Sequence, residues 1–359
     1  MMQQMLEHGY TIVEPHEIAD IYVINTCTVT NVADRKSRQM TRRVKEQNPS
    51  ALVVVCGCYA QVAKEEIEAI EGVDIVLGNN EKTSLLEKIH AHTKQMETHI
   101  SDVMHQTEFQ EFGITTYCEK TRAVIKIQDG CNNFCSYCMI PYARGRIRSR
   151  KPENILEEVK QIAKKGIQEI VLTGIHIASY GKDFQQTYTL IELLEDLNAI
   201  PGIARIRIGS LEPTLMTEKF VGRMAKLEKI CDHFHLSLQS GCDTTLQRMN
   251  RKYTTEEFAQ GVERLRNVYP QAALTTDIIV GFPGETKEEF AQTYRFLESM
   301  AFYKMHIFKY SKRKGTVAAS MPNQIQGPIQ EERSKQLITL SDRDERKQNE
   351  AYIGKEVQV

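Results

Sequence analysis

Three cysteines stand close together in CNNFCSYC, which runs from Cys131 through Cys135 to Cys138. Thiolates spaced in this way on a loop can each hold one iron of a [4Fe-4S] cluster and leave the fourth iron open. A structural zinc site would want four ligands, and no histidine or further cysteine lies close by in sequence to complete it. The open iron is the chemically useful one. It can chelate the amino and carboxylate groups of S-adenosylmethionine and pass an electron to the sulfonium. The competing reading is three buried structural cysteines; the small polar residues in the gaps and the preceding glycine count against it.

The chain has 359 residues and nine cysteines. At roughly 100 to 200 residues per domain, that length suits two or three domains. Lys and Arg total 46 against 47 Asp and Glu, a net charge of −1. This excludes a uniformly basic nucleic-acid coat but leaves room for local basic patches. With 41% hydrophobic and 26% charged residues, most of the chain should be folded and globular. No apolar run approaches the ~20 residues of a membrane span, and Met1-Met2-Gln3-Gln4 lacks the basic and apolar regions of a signal peptide. A cytoplasmic location without membrane contact is expected. There, disulfides are disfavoured and clustered cysteines point to metal or redox chemistry.

The elements that must carry such a loop follow a βα rhythm. Met1 to Gly9 reads as a helix, Ile21 to Asn25 as a buried strand, and Ala33 to Gln47 as a basic helix ended by Asn48-Pro49. Leu52 to Val55, a helix over Lys64 to Ile70 and a strand over Val73 to Leu77 continue it, which predicts a parallel sheet covered by helices. Residues 93–120 are polar and read as a linker. Six strands are then expected at Ala123 to Gln128, Glu169 to Thr173, Ala204 to Ser210, His233 to Leu238, Ala273 to Val280 and Lys304 to Phe308, separated by helical patterns such as Pro152 to Lys165. The fold class is therefore α/β: an N-terminal parallel-sheet domain over 1–92, then a partial (β/α)6 barrel over 121–352. Ile329 to Gln348 reads as a charged helix, and 353–359 as the opening strand of a further small β-barrel.

The text around the cysteines narrows this. CNNFCSYCMIPYARGRIRSR, Cys131 to Arg150, resembles the radical S-adenosylmethionine methylthiotransferases, and NTCTVTNVADRKSRQ, Asn25 to Gln39, is similar to the N-terminal signature of one branch. That branch methylthiolates C2 of N6-threonylcarbamoyladenosine at position 37 of tRNA. The resemblance implies a reaction using two molecules of S-adenosylmethionine. One methylates a sulfur on an auxiliary cluster; the other is cleaved reductively at Cys131, Cys135 and Cys138 to give a 5′-deoxyadenosyl radical. It implies two [4Fe-4S] clusters, tRNA as partner, and a reductant protein such as flavodoxin or ferredoxin; a monomer is expected. Cys27 and Cys58 match two ligands of the second cluster, and both follow strands, at the carboxyl edge where α/β sheets bind ligands. The third family ligand belongs to a strand upstream of the opening helix, so this cluster is expected to be labile or absent. Cys56 is either a substitute ligand or a small hydrophobe of its apolar strand, and the latter fits better. Both ends read as cut, which keeps two alternatives: an Fe-S remnant without sulfur transfer, or a relative acting on a ribosomal protein. Cys118, Cys231 and Cys242 read as structural.

Further loops fall at strand ends, where barrels place function. The resemblance sets Thr173 and Gly174 against the amino group of S-adenosylmethionine, and Gln239 and Ser240 near its ribose and methionine. Gly281, Pro283, Gly284 and Glu285, in GFPGET, complete the expected cofactor contacts. Glu212 is either a contact to cofactor or substrate or a helix-start carboxylate, and His176 and His306 read as locally hydrogen-bonded histidines. No catalytic side chain is assigned. Arg144, Arg146, Arg148 and Arg150 follow the cysteine loop without an acid among them and are expected to contact RNA phosphates. So are the basic helix from Arg35 to Lys45 and the run Lys309, Lys312, Arg313 and Lys314. Tyr117, Phe134, Tyr137 and Tyr142 either stack a flipped base or simply pack.

Overall fold

Val53, Val54 and Val55 have no solvent exposure, as a parallel strand covered on both faces requires. They belong to the first of three sheets in the computed structural model, which describes residues 1–93, 95–111 and 121–356. Cys118 and Tyr117 lie outside the described residues. The first sheet runs in the order β1 (Ile21–Thr26), β2 (Leu52–Gly57), β3 (Ile75–Leu77), β4 (Glu97–His99), and every pairing is parallel. β4 falls inside the stretch read as linker; its sequence, Glu-Thr-His, is polar because it is an edge strand. Among the described residues, the α-helices that accompany this sheet are α1 (Met2–Glu7), α2 (Asn31–Gln47), α3 (Cys58–Val62), α4 (Lys64–Glu68) and α5 (Leu85–Ala91).

The described part of the connecting stretch after β4, up to Glu111, packs against both halves, with Gln110 donating to the Asn80 carbonyl of the first. Val103 is buried, and Glu111 reaches Arg150 across 2.8 Å.

Eight-residue β5 (Arg122–Asp129) opens the second half. A short antiparallel β6 (Arg148–Ser149) flanks it on one side, and β7 (Glu169–Gly174) and β8 (Arg205–Ile208) continue in parallel on the other. A separate parallel sheet holds β9 (His233–His235), β10 (Ala273–Val280) and β11 (Lys304–Lys309). Single parallel bridges, Ile206 to Ile230 and Leu211 to Leu236, join β8 to the β9 segment. The six parallel strands β5, β7, β8, β9, β10 and β11 thus form the expected partial barrel, interrupted where β9 is only three residues long.

Helices wrap its outer face: α6 (Ile140–Arg144), α7 (Pro152–Lys164), α8 (Leu190–Asn198), α9 (Glu218–Met224), α10 (Asp243–Arg248), α11 (Thr255–Val268), α12 (Lys287–Met300), α13 (Val317–Ser320) and α14 (Gly327–Glu350). Outward side chains such as Ile125, Leu172, Ile206, Phe234 and Ile278 are at most 1% exposed and share one hydrophobic cluster with α7, α8, α9, α10, α11, α12 and α14. Strand alternation therefore turns Lys126, Arg207, His233, His235 and Asp277 toward the lumen. Gly354 to Glu356 form a turn and irregular chain after α14, and the last three residues fall outside the described set.

The two halves are locked together. Arg313, beyond β11, inserts beside Asp34 of α2 at 2.6 Å and also donates to Thr28 and Asn31, with both charged side chains under 10% exposed.

Candidate iron–sulfur site at the domain junction

Cys131, Cys135 and Cys138 lie on the loop after β5, all partly buried. Gly130 has φ +70°, and a Cβ there would meet the Arg146 carbonyl at 1.8 Å, so only glycine lets the chain leave the strand and enter this loop. Phe134 is also held at positive φ, +46°. The Cys138 amide bonds to the Cys135 carbonyl, which closes a tight turn between these two cysteines. The sulfurs face N–H donors. The Asn133 amide donates to the Cys131 sulfur at 3.5 Å, and the Arg251 guanidinium donates to the Cys135 sulfur at 3.3 Å. Burial pushes the Cys138 thiol up to about 12 and raises Cys131, so as free thiols both would keep their protons. Iron displaces those protons, and donors aimed at sulfur stabilise the thiolates that result. The residues present fit a cluster.

Arg251 is a residue the sequence did not single out. It is held by Glu212 at 3.1 Å and stacks on Tyr253 at 4.8 Å. Glu212 also meets the Nε2 of His176 at 3.0 Å and accepts from Asn133 at 3.1 Å. It stands at the start of a short 3-10 helix, Pro213–Leu215, but its side chain makes no cap hydrogen bond there and serves the network behind the cysteine loop instead. Gln128, fully buried, is likewise new: its amide nitrogen donates to the carbonyls of Asp129 and Gly130 while its oxygen accepts from the His176 amide at 2.7 Å. It pins the start of the loop to the end of β7, where Thr173 and Gly174 stand half-exposed.

The second cysteine set arrives from the first sheet. Cys27 follows β1 and is exposed; Cys58 begins α3 and is buried. Gly57 between strand and helix has φ +106°, and a Cβ there would sit 2.4 Å from the Thr26 carbonyl. That glycine lets the neighbouring ends of β1 and β2 bring Cys27 and Cys58 to one edge. α3 packs on α6, the helix that follows Cys138. At this contact Arg144 donates to the Cys58 sulfur at 3.1 Å, and Asn79 donates both to that sulfur at 3.7 Å and to the Ala143 carbonyl at 2.7 Å. Lys82, buried beside Cys56 and Cys58, has its ammonium pKa lowered chiefly by burial. The surroundings of Cys58 are thus cationic and rich in N–H donors, which suits an anionic cluster. Cys56 points into the apolar cluster of Met5, Val54, Ile75 and Leu77 and is fully buried, in keeping with the hydrophobe reading.

Several expected contacts are taken up inside the chain. Arg148 and Arg150 are 3% and 5% exposed: Arg148 lies 3.9 Å from Asp129, and Arg150 is clamped by Glu111 and Glu158. Arg144 is shared between Cys58 and Asp129. Of the four arginines expected on RNA, Arg146 alone is exposed, lying over the Phe134 ring at 4.7 Å. The acids that neutralise the others come from distant sequence. Glu285 is buried against Arg333 of α14 and accepts from the Gly281 amide at 2.7 Å, while Gln330 packs over Gly281. Pro283 is buried, and Gly284 faces Arg248. This turn is packed on α14 and α10. Ser240 is fully buried and accepts from the Cys242 amide at the start of α10; Gln239, at φ +73°, remains half-exposed at the rim. Exposed basic residues collect elsewhere. Arg35, Lys36, Arg42 and Arg43 on α2 are exposed, as are Lys312 and Lys314, and Asn31 at the start of α2 donates to the Lys312 carbonyl at 2.8 Å, which sets that end of α2 beside the second run.

Among the described residues, His235, Asp277 and His306 are the one set of three ligand-type side chains whose ligand atoms all lie within 4.8 Å of one another.

Comparison with known proteins agrees with this architecture. The Radical SAM superfamily matches residues 125–297, and an uncharacterized protein family, UPF0004, matches residues 1–78. Threonylcarbamoyladenosine tRNA methylthiotransferase MtaB of Bacillus subtilis (strain 168) is 44% identical over 343 residues, covering 95% of this chain and 76% of its own length. The protein of the same name from Aquifex aeolicus (strain VF5) is 40% identical, covering 100% of this chain and 88% of its own. A tRNA-2-methylthio-N(6)-dimethylallyladenosine synthase from Caldicellulosiruptor saccharolyticus is 38% identical, covering 98% and 76%. Among solved structures, the radical S-adenosylmethionine methyltransferase TsrM from Kitasatospora setae shares the fold with a TM-score of 0.59 at 15% identity, over 82% of this chain and 64% of that one. With relatives at this identity over nearly its whole length, the chain belongs to the radical S-adenosylmethionine methylthiotransferase family.

Proposed function

We propose that the protein attaches a methylthio group to C2 of N6-threonylcarbamoyladenosine at position 37 of tRNA. The observation that carries the reading is Arg144, which at the junction of sheet and barrel bonds both the Cys58 sulfur and Asp129 at the foot of the Cys131 loop. A sulfur-bearing site and a radical-generating site must both reach one carbon, and this contact brings their supporting elements together. The names of the relatives at 44% and 40% identity support the threonylcarbamoyl substrate.

The target C–H bond has no acidic proton, so side-chain acid–base chemistry has little purchase on it. When bound, the cluster of Cys131, Cys135 and Cys138 supplies the electron that cleaves S-adenosylmethionine reductively. The chain's own residues do the rest. Gln128 and Arg251 fix the cysteine loop, Thr173, Gly174 and Gln239 line the rim, and the lumen below receives the base and excludes water. The exposed cations of α2, with Arg146, Lys312 and Lys314, supply phosphate contacts in place of Arg148 and Arg150. We read residues 1–92 as the sulfur-supplying unit and 121–352 as the radical unit of a cytoplasmic monomer, with electrons from a small reductant protein such as flavodoxin or ferredoxin.

The test is an anaerobic reaction of reconstituted protein with S-adenosylmethionine, reductant and tRNA bearing the threonylcarbamoyl group, followed by nucleoside analysis. A methylthio nucleoside that is lost on Cys131→Ala supports the reading. Cleavage of S-adenosylmethionine with the nucleoside unchanged contradicts it.

A further inference from the structure

The lumen of the partial barrel is lined by ionisable groups that the cofactor reading does not use. His235 Nε2 stands 3.1 Å from the Asp277 carboxylate, and its Nδ1 is 3.0 Å from the Thr275 hydroxyl, so the ring is fixed at both nitrogens. Asp277 and His306 are direct neighbours across β10 and β11. The rings of His235 and His306 lie 5.8 Å apart, inclined by 32°. His306 is exposed, with its ring open to whatever enters. His233 and Arg207 border the set; burial and the nearby Arg207 charge hold His233 below the usual histidine range.

This group sits just beneath the rim. The Gln239 amide donates to the Asp277 carbonyl at 2.8 Å, and the Ser237 carbonyl, two residues above His235, accepts from the same Arg251 that holds Cys135. Two strand residues span about 7 Å. In adenine, C2 and the C6 carbon that bears N6 flank N1, so with C2 held at the rim chemistry the N6 substituent leaves the ring at an angle to the C2–H bond, and a group as long as threonylcarbamoyl extends from there into this depth.

The relatives act on adenosines that differ in that substituent. A dimethylallyl group is pure hydrocarbon and would strip water from His235, Asp277 and His306 without replacing its hydrogen bonds. A threonylcarbamoyl group offers a carboxylate, a hydroxyl and urea N–H groups. We infer that His306, supported by His235 and Asp277, is a specificity-determining residue that binds the threonylcarbamoyl substituent, His306 donating to its carboxylate and Asp277 accepting from its hydroxyl or N–H. The inference rests on the substrate proposed above. A site built to hydrogen-bond a polar group rejects an analogue that lacks it.

The probe is tRNA carrying threonylcarbamoyladenosine, compared with the same tRNA after its threonyl carboxylate has been converted to a methyl ester. Both affinity and kcat/KM are read for the wild type, His306→Phe and His306→Gln, with circular dichroism and iron content confirming that the variants are folded and loaded. The wild type is expected to prefer the free acid by about tenfold or more, in line with one charge-assisted hydrogen bond. His306→Phe should lose that preference, mainly through KM, and His306→Gln should regain part of it. An unchanged preference in His306→Phe overturns the inference. So does a divalent ion bound one per chain in addition to cluster iron and lost in that variant, since the three side chains would then be metal ligands. Absence of methylthio product from the wild type, with the affinity preference intact, would count against the proposed reaction and leave the binding inference standing.

Discussion

Arg144 donates from Nε to the Cys58 sulfur across 3.1 Å while its Nη1 lies 3.4 Å from Asp129, two residues ahead of Cys131. One guanidinium thus spans the cysteine sets of both halves. Burial works against ionisation of Asp129, but Lys126 and Arg144 outweigh it and hold the carboxyl below its ordinary range, so the anchor stays charged at neutral pH. Hydrogen bonds to cluster sulfur raise reduction potentials because they favour the more negative, reduced state. Arg144→Met should therefore lower the potential of one cluster, by about 20–60 mV for a bond worth about 0.5–1.5 kcal/mol. A redox titration followed by electron paramagnetic resonance reads this. Two unchanged potentials would mean that the contact carries no electronic weight.

The Arg313–Asp34 pair is the structural lock between halves, with both side chains under 10% exposed. Removing one partner leaves the other charge buried and uncompensated. Asp34→Ala should destabilise the protein by about 3–5 kcal/mol, whereas replacing both by apolar residues of similar volume should cost much less. Denaturant unfolding of single and double variants checks the pattern, and additive losses would count against a coupled pair.

Far from the site, Glu192 closes the capping box of α8 with Thr189 and receives Arg223 at 2.6 Å. Burial opposes its ionisation, yet the bonds from Thr189 and Arg223 prevail and hold its carboxyl at about 2, below the usual 4.5. The unfolded chain binds this proton more tightly than the folded one. The stabilisation is accordingly complete above the ordinary value and is lost as pH falls toward about 2. Because the pair is near the surface, Glu192→Gln should cost about 1 kcal/mol at pH 7 and progressively less on acidification. Melting curves across that range test it; a deficit that widens as pH falls would show the sign to be wrong.

What could be read from the sequence divides along physical lines. Buried parallel strands announce themselves as apolar runs, as Leu52 to Val55 does, and the glycine-flanked cysteine loop marks its own chemistry. The edge strand β4 is polar and carries no such signal. Arg251 and Gln128 act through contacts made only on folding; Arg251 meets Cys135 from 116 residues away. The arginine run shows the same limit from the other side. Read alone it looks like a solvated patch, but Glu111, Glu158 and Asp129 neutralise it, and no local window pairs all three with their arginines. Likewise Glu285 looked available in GFPGET until α14 brought Arg333 against it.

The most direct test of the central claim, that two cysteine sets meeting at the domain junction each hold a cluster, is the iron and sulfide content per chain after anaerobic reconstitution. The account predicts about eight of each, because the donors around Cys58 retain a second cluster that Cys27 and Cys58 alone would leave labile, and a fall to about four both on Cys58→Ala and when Cys131, Cys135 and Cys138 are replaced together. About four in the wild type, unaffected by Cys58→Ala, would contradict it.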